Sequence, residues 1–280
     1  MSEYADPSVL VSTDWVSERL NTNLKIVEVD VDTQQYAAGH IPGAVSFDWT
    51  TELQDQVSRD IISKADFEKL LGEAGIGNDD EVVIYGDNNN WFAAYALWVF
   101  KYYGHENVKL MNGGRSKWLD EEDKPLTTDA PSVSPTAYTA RGENAEIRAF
   151  VQDVLKVVSE GKTNLVDVRS TDEFTGKVIA PAGMTETAQR GGHVPGAKSV
   201  PWVTAVNPDG TFKSRPELEK IYFEDAGVNP ENDTIAYCRI GERSSHTWFV
   251  LKYLLGIDNV KNYDGSWTEY GSMIGVPIEK

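Results

Sequence analysis

Short apolar runs alternate with amphipathic stretches along the chain. Four of the runs are rich in β-branched residues: 26–29, 82–85, 165–168 and 234–237. Such runs are typical of strands that are buried on both faces of a parallel sheet. Residues 67–74 and 217–226 carry apolar residues at helical spacing, and each stretch ends before a glycine. The alternation predicts an α/β fold of three layers, in which helices cover a parallel sheet.

The pattern occurs twice. Residues 39–44, Gly-His-Ile-Pro-Gly-Ala, return as Gly-His-Val-Pro-Gly-Ala at 192–197, a spacing of 153 residues. The run at 82–85 returns at 234–237, a spacing of 152 residues. A chain of 280 residues is also longer than one compact core usually needs. We therefore predict two tandem α/β domains.

The domain boundaries follow from the repeat. We place the N-terminal domain at 1–126 and the C-terminal domain at 147–280. Residues 127–146 between them contain two prolines and few large apolar residues, which is typical of an interdomain linker. Glycine and proline make each Gly-His motif a predicted turn, in which His40 or His193 forms a local hydrogen bond.

One loop of the second repeat carries the most reactive side chain. Cys238, the only cysteine, directly follows the last predicted strand, and helical spacing resumes a few residues later. Ligands of open α/β sheets bind at this end of the strands. The backbone N–H groups of such a loop, the helix dipole and the charges of Arg239 and Arg243 favour a thiolate. We expect Ser244 or Ser245 to cap the helix.

The first repeat provides an internal comparison for this loop. The position that matches Cys238 is Gly86, and the residues after it, 87–91, contain neither a thiol nor an arginine. A lone buried cysteine is more often an inert core residue than a nucleophile. Its position at a strand end, in one repeat only, favours the nucleophile here.

These motifs give the whole chain a resemblance to a known family. The loop at 238–243, the two Gly-His turns and the Tyr-Asp-Gly-Ser-Trp run at 263–267 resemble those of two-domain rhodaneses, the thiosulfate sulfurtransferases, of bacterial type. The resemblance implies two similar rhodanese-like α/β domains, of which the first is inactive. It also implies that Cys238 carries sulfur as a persulfide.

Further residues acquire expected roles through the same resemblance. Arg243, Arg239 and Gly241 are expected to bind the substrate, with Arg243 in contact with its anionic group. Asp167 and Arg169 match an Asp-x-Arg motif that follows a strand in the family, and are expected to support the site.

The expected reaction is a double displacement. Sulfur moves from thiosulfate to Cys238, and then to cyanide or a thiol, with ping-pong kinetics. A protein is another possible acceptor. The reaction requires no metal and no organic cofactor, and one cysteine with four scattered histidines lacks the spacing of a metal site.

Two positions depart from the thiosulfate sulfurtransferases of vertebrates. Glu173 stands where those enzymes have a second substrate-binding arginine, and Ile240 stands where their loop has a lysine. The donor is therefore less well specified by the sequence than the reaction class.

Several alternatives stay open. The donor could be 3-mercaptopyruvate, although enzymes for that donor usually have small residues after the cysteine, where this chain has Arg239. Phosphatases and arsenate reductases need five residues between cysteine and arginine to surround a tetrahedral anion, and here only four separate Cys238 from Arg243. The chain could also be a persulfide relay or a binding module for a protein acceptor. We assign no catalytic role to His246, because the loop stabilises a thiolate without a base.

Charge and apolar patterning limit the remaining function classes. The net charge of −18 argues against nucleic-acid binding, which depends on clustered lysine and arginine. The longest apolar stretch, 91–100, is about half the length of a membrane-spanning helix. No secretory or transit signal is visible at the start of the sequence, and a single cysteine suits a reducing compartment. We expect a cytoplasmic protein that has no membrane partner.

Overall fold

The computed structural model describes residues 3–180 and 187–280. These residues form two compact units. The first unit consists of Ser8–Asn144 and Val206–Phe212, and the second unit consists of the other described residues. The first unit contains the N-terminal repeat and the second contains the C-terminal repeat. The boundaries placed at 126 and 147 stay a prediction, and the residues of the predicted linker up to Asn144 group with the first unit.

The first unit alternates strands and helices as its apolar pattern predicts. Its strands are β1 (Leu10–Val11), β2 (Lys25–Glu28), β3 (Val45–Ser46), β4 (Gln54–Asp55), β5 (Asp60–Ile61), β6 (Val82–Tyr85) and β7 (Val108–Met111). Its helices are α1 (Thr13–Ser17), α2 (Gln35–Ala38), α3 (Lys64–Glu73), α4 (Asp87–Tyr102) and α5 (Gly114–Asp120). A short 3-10 helix, Pro7–Val9, precedes β1.

The second unit has a matching series of elements within its described residues. Its strands are β8 (Arg148–Ala149), β9 (Asn164–Asp167), β10 (Lys198–Ser199), β11 (Thr234–Tyr237) and β12 (Val260–Tyr263). Its helices are α6 (Val151–Glu160), α7 (Thr171–Phe174), α8 (Arg215–Glu219), α9 (Glu242–Phe249) and α10 (Ser266–Tyr270). A 3-10 helix, Trp202–Ala205, follows β10, and π-helical turns extend α8 through Lys220–Asp225 and α9 through Val250–Leu254.

Both units contain a parallel sheet of the same topology. In the first unit the strands lie in the order β1-β7-β6-β2-β3, and in the second in the order β8-β12-β11-β9-β10. Every neighbouring pair in these two sheets is parallel. Each strand of the second sheet thus takes the place of its counterpart in the first. The predicted tandem α/β fold is confirmed. Strands β4 and β5 form a separate antiparallel pair that the apolar pattern did not predict.

The four predicted strands are present, two of them displaced by one residue. Strands β6 and β11 have the predicted bounds, whereas β2 and β9 begin and end one residue earlier than predicted. The reason lies at the strand ends. Val29 and Val168 still donate their N–H groups to the neighbouring strand, to Tyr85 and Tyr237, but they lie beyond the last paired residues.

Strand β11 is buried on both faces. Ile235 and Tyr237 belong to a core cluster that also contains Val154 of α6 and Trp267 of α10. Ala236, which points to the opposite face, is fully buried as well. A continuous apolar run is therefore what this position in the sheet requires.

Both predicted helices form, and one of them changes its winding. Helix α3 begins after Ser63, whose side chain accepts a hydrogen bond from the N–H of Asp66, and it ends before Gly75 in a left-handed conformation. The helix predicted at 217–226 is α-helical only in α8. Its second half is π-helical, with the N–H of Ala226 donating to the carbonyl of Ile221, five residues back.

The longest apolar stretch forms part of α4, in which every residue from Asn90 to Tyr102 is buried. A helix that is apolar all round belongs in a core. No helix in the described ranges has both the length and the apolar character needed to cross a membrane.

The Gly-His motifs are turns, as predicted. The Nδ1 atoms of His40 and His193 lie 2.9 Å from the carbonyl oxygens of Tyr36 and Phe174, respectively. Each imidazole also stacks on the ring of that same residue, with centroids 3.7 and 3.5 Å apart. The two histidines are held as structural parts of their turns, so the predicted local hydrogen bonds are confirmed.

A buried arginine joins the end of β2 to the turn in the first unit. Arg115 pairs through Nη1 with the carboxylate of Glu28, and its Nη2 donates to the carbonyl of Gly39 at 2.7 Å. The hydroxyl of Tyr85 also donates to Glu28. Because Glu28 is fully buried, these donors supply the hydrogen bonds that its charge requires.

Candidate active site

Cys238 lies between β11 and α9, at the carboxyl end of the second sheet. Its side chain is fully buried, and its Sγ accepts a hydrogen bond from the backbone N–H of Gly241 at 3.1 Å. The loop therefore turns back on the sulfur within three residues. A backbone donor at this distance stabilises negative charge on sulfur without requiring a side chain.

The return of the loop depends on Gly241. Its φ of 101° is in the left-handed region, which favours glycine, and it directly precedes α9. A Cβ atom there would lie 2.6 Å from Cα of Asp264, so the position also has no room for a side chain. The prediction that Ser244 or Ser245 caps the helix is wrong. Both serines lie inside the first turn, and their hydroxyls donate back to the carbonyl of Gly241.

The strand-to-helix connection after β12 supports the loop from behind. The N–H of Cys238 donates to Ser266 Oγ at 3.1 Å, and Ser266 Oγ donates to the carbonyl of Tyr263 at 2.6 Å. The carbonyl of Cys238 accepts from the N–H of Trp267 at 3.1 Å. Residues 263–267, which carried part of the family resemblance, thus fix both backbone groups of the cysteine.

Arg243 is held by the residue that departs from the vertebrate pattern. Its Nη1 and Nη2 donate to the two carboxylate oxygens of Glu173, at 3.0 and 2.9 Å. Burial alone would raise the pKa of Glu173, but the hydrogen bond and charge of Arg243 and the hydrogen bonds from Ser170 together outweigh it, so the pKa lies below its ordinary value. Burial opposes a charged Arg243, but the hydrogen bond and the charge of Glu173 raise its pKa, so the guanidinium stays charged.

Asp167 and Arg169 form a buried ion pair at the end of β9. Arg169 Nη2 donates to Asp167 Oδ2 at 2.6 Å and to the carbonyl of Gly192 in the turn at 2.7 Å. The guanidinium carbon also lies 4.7 Å from the ring centroid of Trp267. Through Trp267 the pair contacts the connection that supports Cys238. The structure therefore connects these two residues to the cysteine loop through Trp267.

The predicted site residues do not all meet at one point. Gly241 donates its N–H to the sulfur, and Arg243 lies in the same loop, where it pairs with Glu173. Arg239 is buried, and its carbonyl accepts from the N–H of Thr268 at 3.0 Å. Glu173 and Ser266 have contacts in this site that the sequence analysis did not foresee. The Ser-x-x-Glu spacing that ends at Glu173 is a capping-box signal, but it indicates a helix start and not a partner seventy positions away.

His246 is neutral in this structure. It is fully buried in α9, and burial lowers its pKa to about 3. Its ring contacts that of Trp202 edge to face, with centroids 5.2 Å apart. An imidazole with so low a pKa is a poor acceptor for a thiol proton.

The matching loop of the first unit has no space for a cysteine. A Cβ atom on Gly86 would lie 2.0 Å from the carbonyl oxygen of Val29. The three asparagines that follow all adopt left-handed backbone conformations: Asn88, Asn89 and Asn90, with φ of 49, 60 and 62°. Where the second unit has Arg169, the first has Asp30, whose pKa is raised to about 9 by burial and then by the charge of Glu28.

Within 3–180 and 187–280, no group of three histidine, cysteine, aspartate or glutamate side chains is arranged to hold a metal ion.

The family model for the rhodanese-like domain matches the chain twice, at residues 12–121 and 150–273. A Saccharopolyspora erythraea protein, provisionally named a thiosulfate sulfurtransferase, is 60% identical over 273 residues, which cover 97% of this chain and 96% of that protein. The sulfur carrier protein TtuD of Thermus thermophilus is 55% identical over 282 residues, 99% of this chain and 98% of TtuD.

Among solved structures, the 3-mercaptopyruvate sulfotransferase SseA from Escherichia coli superposes with a TM-score of 0.81. It is 29% identical in sequence, and the match covers 93% of this chain and 99% of SseA.

We predict that Gly241→Ala destabilises the second unit more than Gly275→Ala does. Both glycines have left-handed backbone conformations, but a Cβ on Gly275 meets nothing within 4 Å, whereas one on Gly241 meets Asp264 at 2.6 Å. The backbone strain of about 1–2 kcal/mol is common to both variants, and only Gly241→Ala adds a clash. Urea unfolding measures the difference, and equal losses of unfolding free energy would contradict the account of this loop.

We also predict an acid sensitivity that arises from His246. Its folded pKa of about 3 lies below the ordinary histidine pKa of 6.5, so the unfolded chain binds the proton more readily. The free energy of unfolding is therefore unaffected by His246 well above the unfolded pKa. It decreases as the pH falls below that pKa, by about 2 kcal/mol at about pH 5. In His246→Asn this contribution to the acid-induced loss of unfolding free energy should disappear. Urea unfolding at about pH 5 and at a pH well above the unfolded pKa of histidine measures it. A pH dependence identical to that of the unchanged protein would show that His246 does not titrate this way.

Proposed function

This chain belongs to the rhodanese family, and from that membership we propose that it moves the sulfane sulfur of thiosulfate to a nucleophilic acceptor through a persulfide on Cys238. The observation that carries the proposal is the hydrogen bond from the Gly241 N–H to Cys238 Sγ at 3.1 Å. A buried sulfur that accepts a backbone hydrogen bond at the carboxyl end of the sheet is placed to act as a charged nucleophile.

The first step loads the sulfur. The Cys238 thiolate attacks the sulfane sulfur of thiosulfate, a new sulfur–sulfur bond forms, and the bond to the sulfonate sulfur breaks. Sulfite leaves with the electron pair of that bond. The persulfide anion keeps one negative charge in the loop, where the Gly241 N–H and the Arg243 guanidinium stabilise it.

The second step unloads the sulfur. A nucleophile attacks the outer sulfur of the persulfide, and the Cys238 thiolate leaves with the electron pair. Cyanide would depart as thiocyanate, and a thiol as its persulfide. No base is required at either step if cysteine enters as the thiolate, which agrees with a neutral His246.

The loop geometry favours a single sulfur atom over a tetrahedral phosphate. The N–H of Gly241, only three residues after Cys238, already points at Sγ. A phosphate would need several converging donors around a wider space. Both terminal nitrogens of Arg243 are also engaged by Glu173. These features support sulfur transfer over phosphate or arsenate chemistry.

A protein acceptor is a second form of the same proposal. The similarity to the sulfur carrier TtuD, at 55% identity over nearly the whole of both chains, favours it. The chemistry at Cys238 would be identical, and only the attacking thiol would belong to a protein. A cytoplasmic location, where thiols are kept reduced, is part of this proposal.

A different donor, 3-mercaptopyruvate, is a second candidate because the chain superposes on SseA over almost all of that enzyme. Arg239 and Ile240 occupy the positions directly after the cysteine, and both are buried in the loop. Large residues there distinguish this loop from the small-residue loop expected for mercaptopyruvate enzymes. Of these two donors, thiosulfate is therefore the one that the loop favours.

We predict that thiosulfate adds the mass of one sulfur atom to the chain, and that Cys238→Ser abolishes the addition because no other cysteine exists. Intact-mass spectrometry after removal of excess donor measures the adduct. Cyanide should then restore the original mass and release thiocyanate. Near-ultraviolet circular dichroism of Cys238→Ser controls for folding, and an unmodified mass for the unchanged protein would overturn the proposed function.

A further inference from the structure

Glu173 fixes Arg243 more firmly than a single hydrogen bond would. The carboxylate accepts from both Nη1 and Nη2, at 3.0 and 2.9 Å. Such a bidentate pair restricts both the position and the orientation of the guanidinium. Glu173 is 1% exposed and Arg243 is 5% exposed, so water screens their interaction poorly.

The start of α7 fixes the carboxylate in turn. Oε2 of Glu173 accepts from the backbone N–H and from the hydroxyl of Ser170, both at 3.0 Å. The N–H of Glu173 donates to the hydroxyl of Ser170 at 3.2 Å. This capping box leaves Glu173 little freedom to move away. An incoming anion therefore meets an arginine whose terminal nitrogens are already engaged.

The buried charges near the cysteine do not favour a dianion. The loop at 238–243 and its ion-pair partner in α7 contribute four buried charges, of which Arg239 and Arg243 are positive and Glu173 and Glu242 are negative. A thiolate on Cys238 therefore makes the anionic groups outnumber the cationic ones. In poorly screened surroundings, a donor with two negative charges is repelled about twice as strongly as a donor with one.

We propose that Glu173 is a positioning and specificity-determining residue, which orients Arg243 in the loop that begins at Cys238 and selects against donors that carry two negative charges. The inference rests on the proposed function, and it names the preferred donor class for that site. The preferred donor presents its transferable sulfur with a single negative charge, as an organic persulfide or a thiosulfonate does. Thiosulfate is used, with a high KM.

Two donors that differ by one charge can test this. Thiosulfate is a dianion, and methanethiosulfonate has a methyl group in place of one charged oxygen. With either donor the Cys238 thiolate attacks the terminal sulfur, a sulfur–sulfur bond forms and another breaks. Sulfite leaves in one case and methanesulfinate in the other, each with the electron pair. The ratio of kcat/KM for the two donors therefore measures the effect of the second negative charge.

In the unchanged protein we expect methanethiosulfonate to have the lower KM. Glu173→Gln retains the size and one acceptor oxygen but removes the charge. It should lower the KM for thiosulfate relative to that for methanethiosulfonate by about fivefold, with kcat changed much less. Asp172→Asn is the matched control, because it removes one negative charge from the neighbouring residue of α7, whose side chain is 59% exposed. This control should leave the donor ratio unchanged.

Either of two results would overturn the inference. One is a Glu173→Gln variant that alters both donors equally, since a purely structural role predicts that outcome. The other is an unchanged protein whose KM for thiosulfate lies well below that for methanethiosulfonate, a measurement that needs no variant to fold. If neither donor loads sulfur onto the unchanged protein, the proposed function itself fails, and the absence of any adduct distinguishes that result from an unaltered ratio.

Discussion

A sulfur atom without exposed surface must find its polar partners within the chain that surrounds it. In this protein the backbone N–H of Gly241 supplies the direct contact to Cys238 Sγ, at 3.1 Å. That contact requires a left-handed residue without a side chain at position 241, because Asp264 lies directly behind it. It also requires that the cysteine itself be fixed, which Ser266 and Trp267 achieve through its N–H and carbonyl groups. The loop, the following helix and the connection after β12 therefore depend on one another.

The two units have the same sheet topology, but only the second carries the cysteine loop. In both, a carboxylate at the end of the second strand and the carbonyl of the Gly-His turn share a buried arginine. The first unit supplies that arginine from the start of α5, as Arg115, whereas the second supplies it from the end of β9, as Arg169. The hydrogen bonds are retained in this exchange because the guanidinium group occupies the same role in both units. The first unit cannot hold a cysteine at position 86, however, since the carbonyl of Val29 occupies the space that a Cβ on Gly86 would need.

Much of this could be predicted from the sequence, because repeats and periodicity report directly on strands that are buried on both faces. The tandem parallel sheets, the two histidine turns and the position of Cys238 at a strand end all follow from local patterns. The pairing of Glu173 with Arg243 could not be predicted that way, because it joins two helix starts that no local pattern relates. The equivalent roles of Arg115 and Arg169 could not be predicted for the same reason, because the two arginines do not align in the repeat. The predicted serine caps were wrong because the left-handed Gly241 precedes the helix, three residues before Ser244.

The central claim is that sulfur resides covalently on Cys238 between two separate half-reactions. Quantifying sulfite after mixing the protein with thiosulfate, in the absence of any acceptor, tests it most directly. The account predicts a rapid release of one sulfite for each chain, followed by no further release until cyanide or a thiol is added. Release of sulfite only when donor and acceptor are present together would contradict it, because the sulfur would then pass between substrates without residing on the protein.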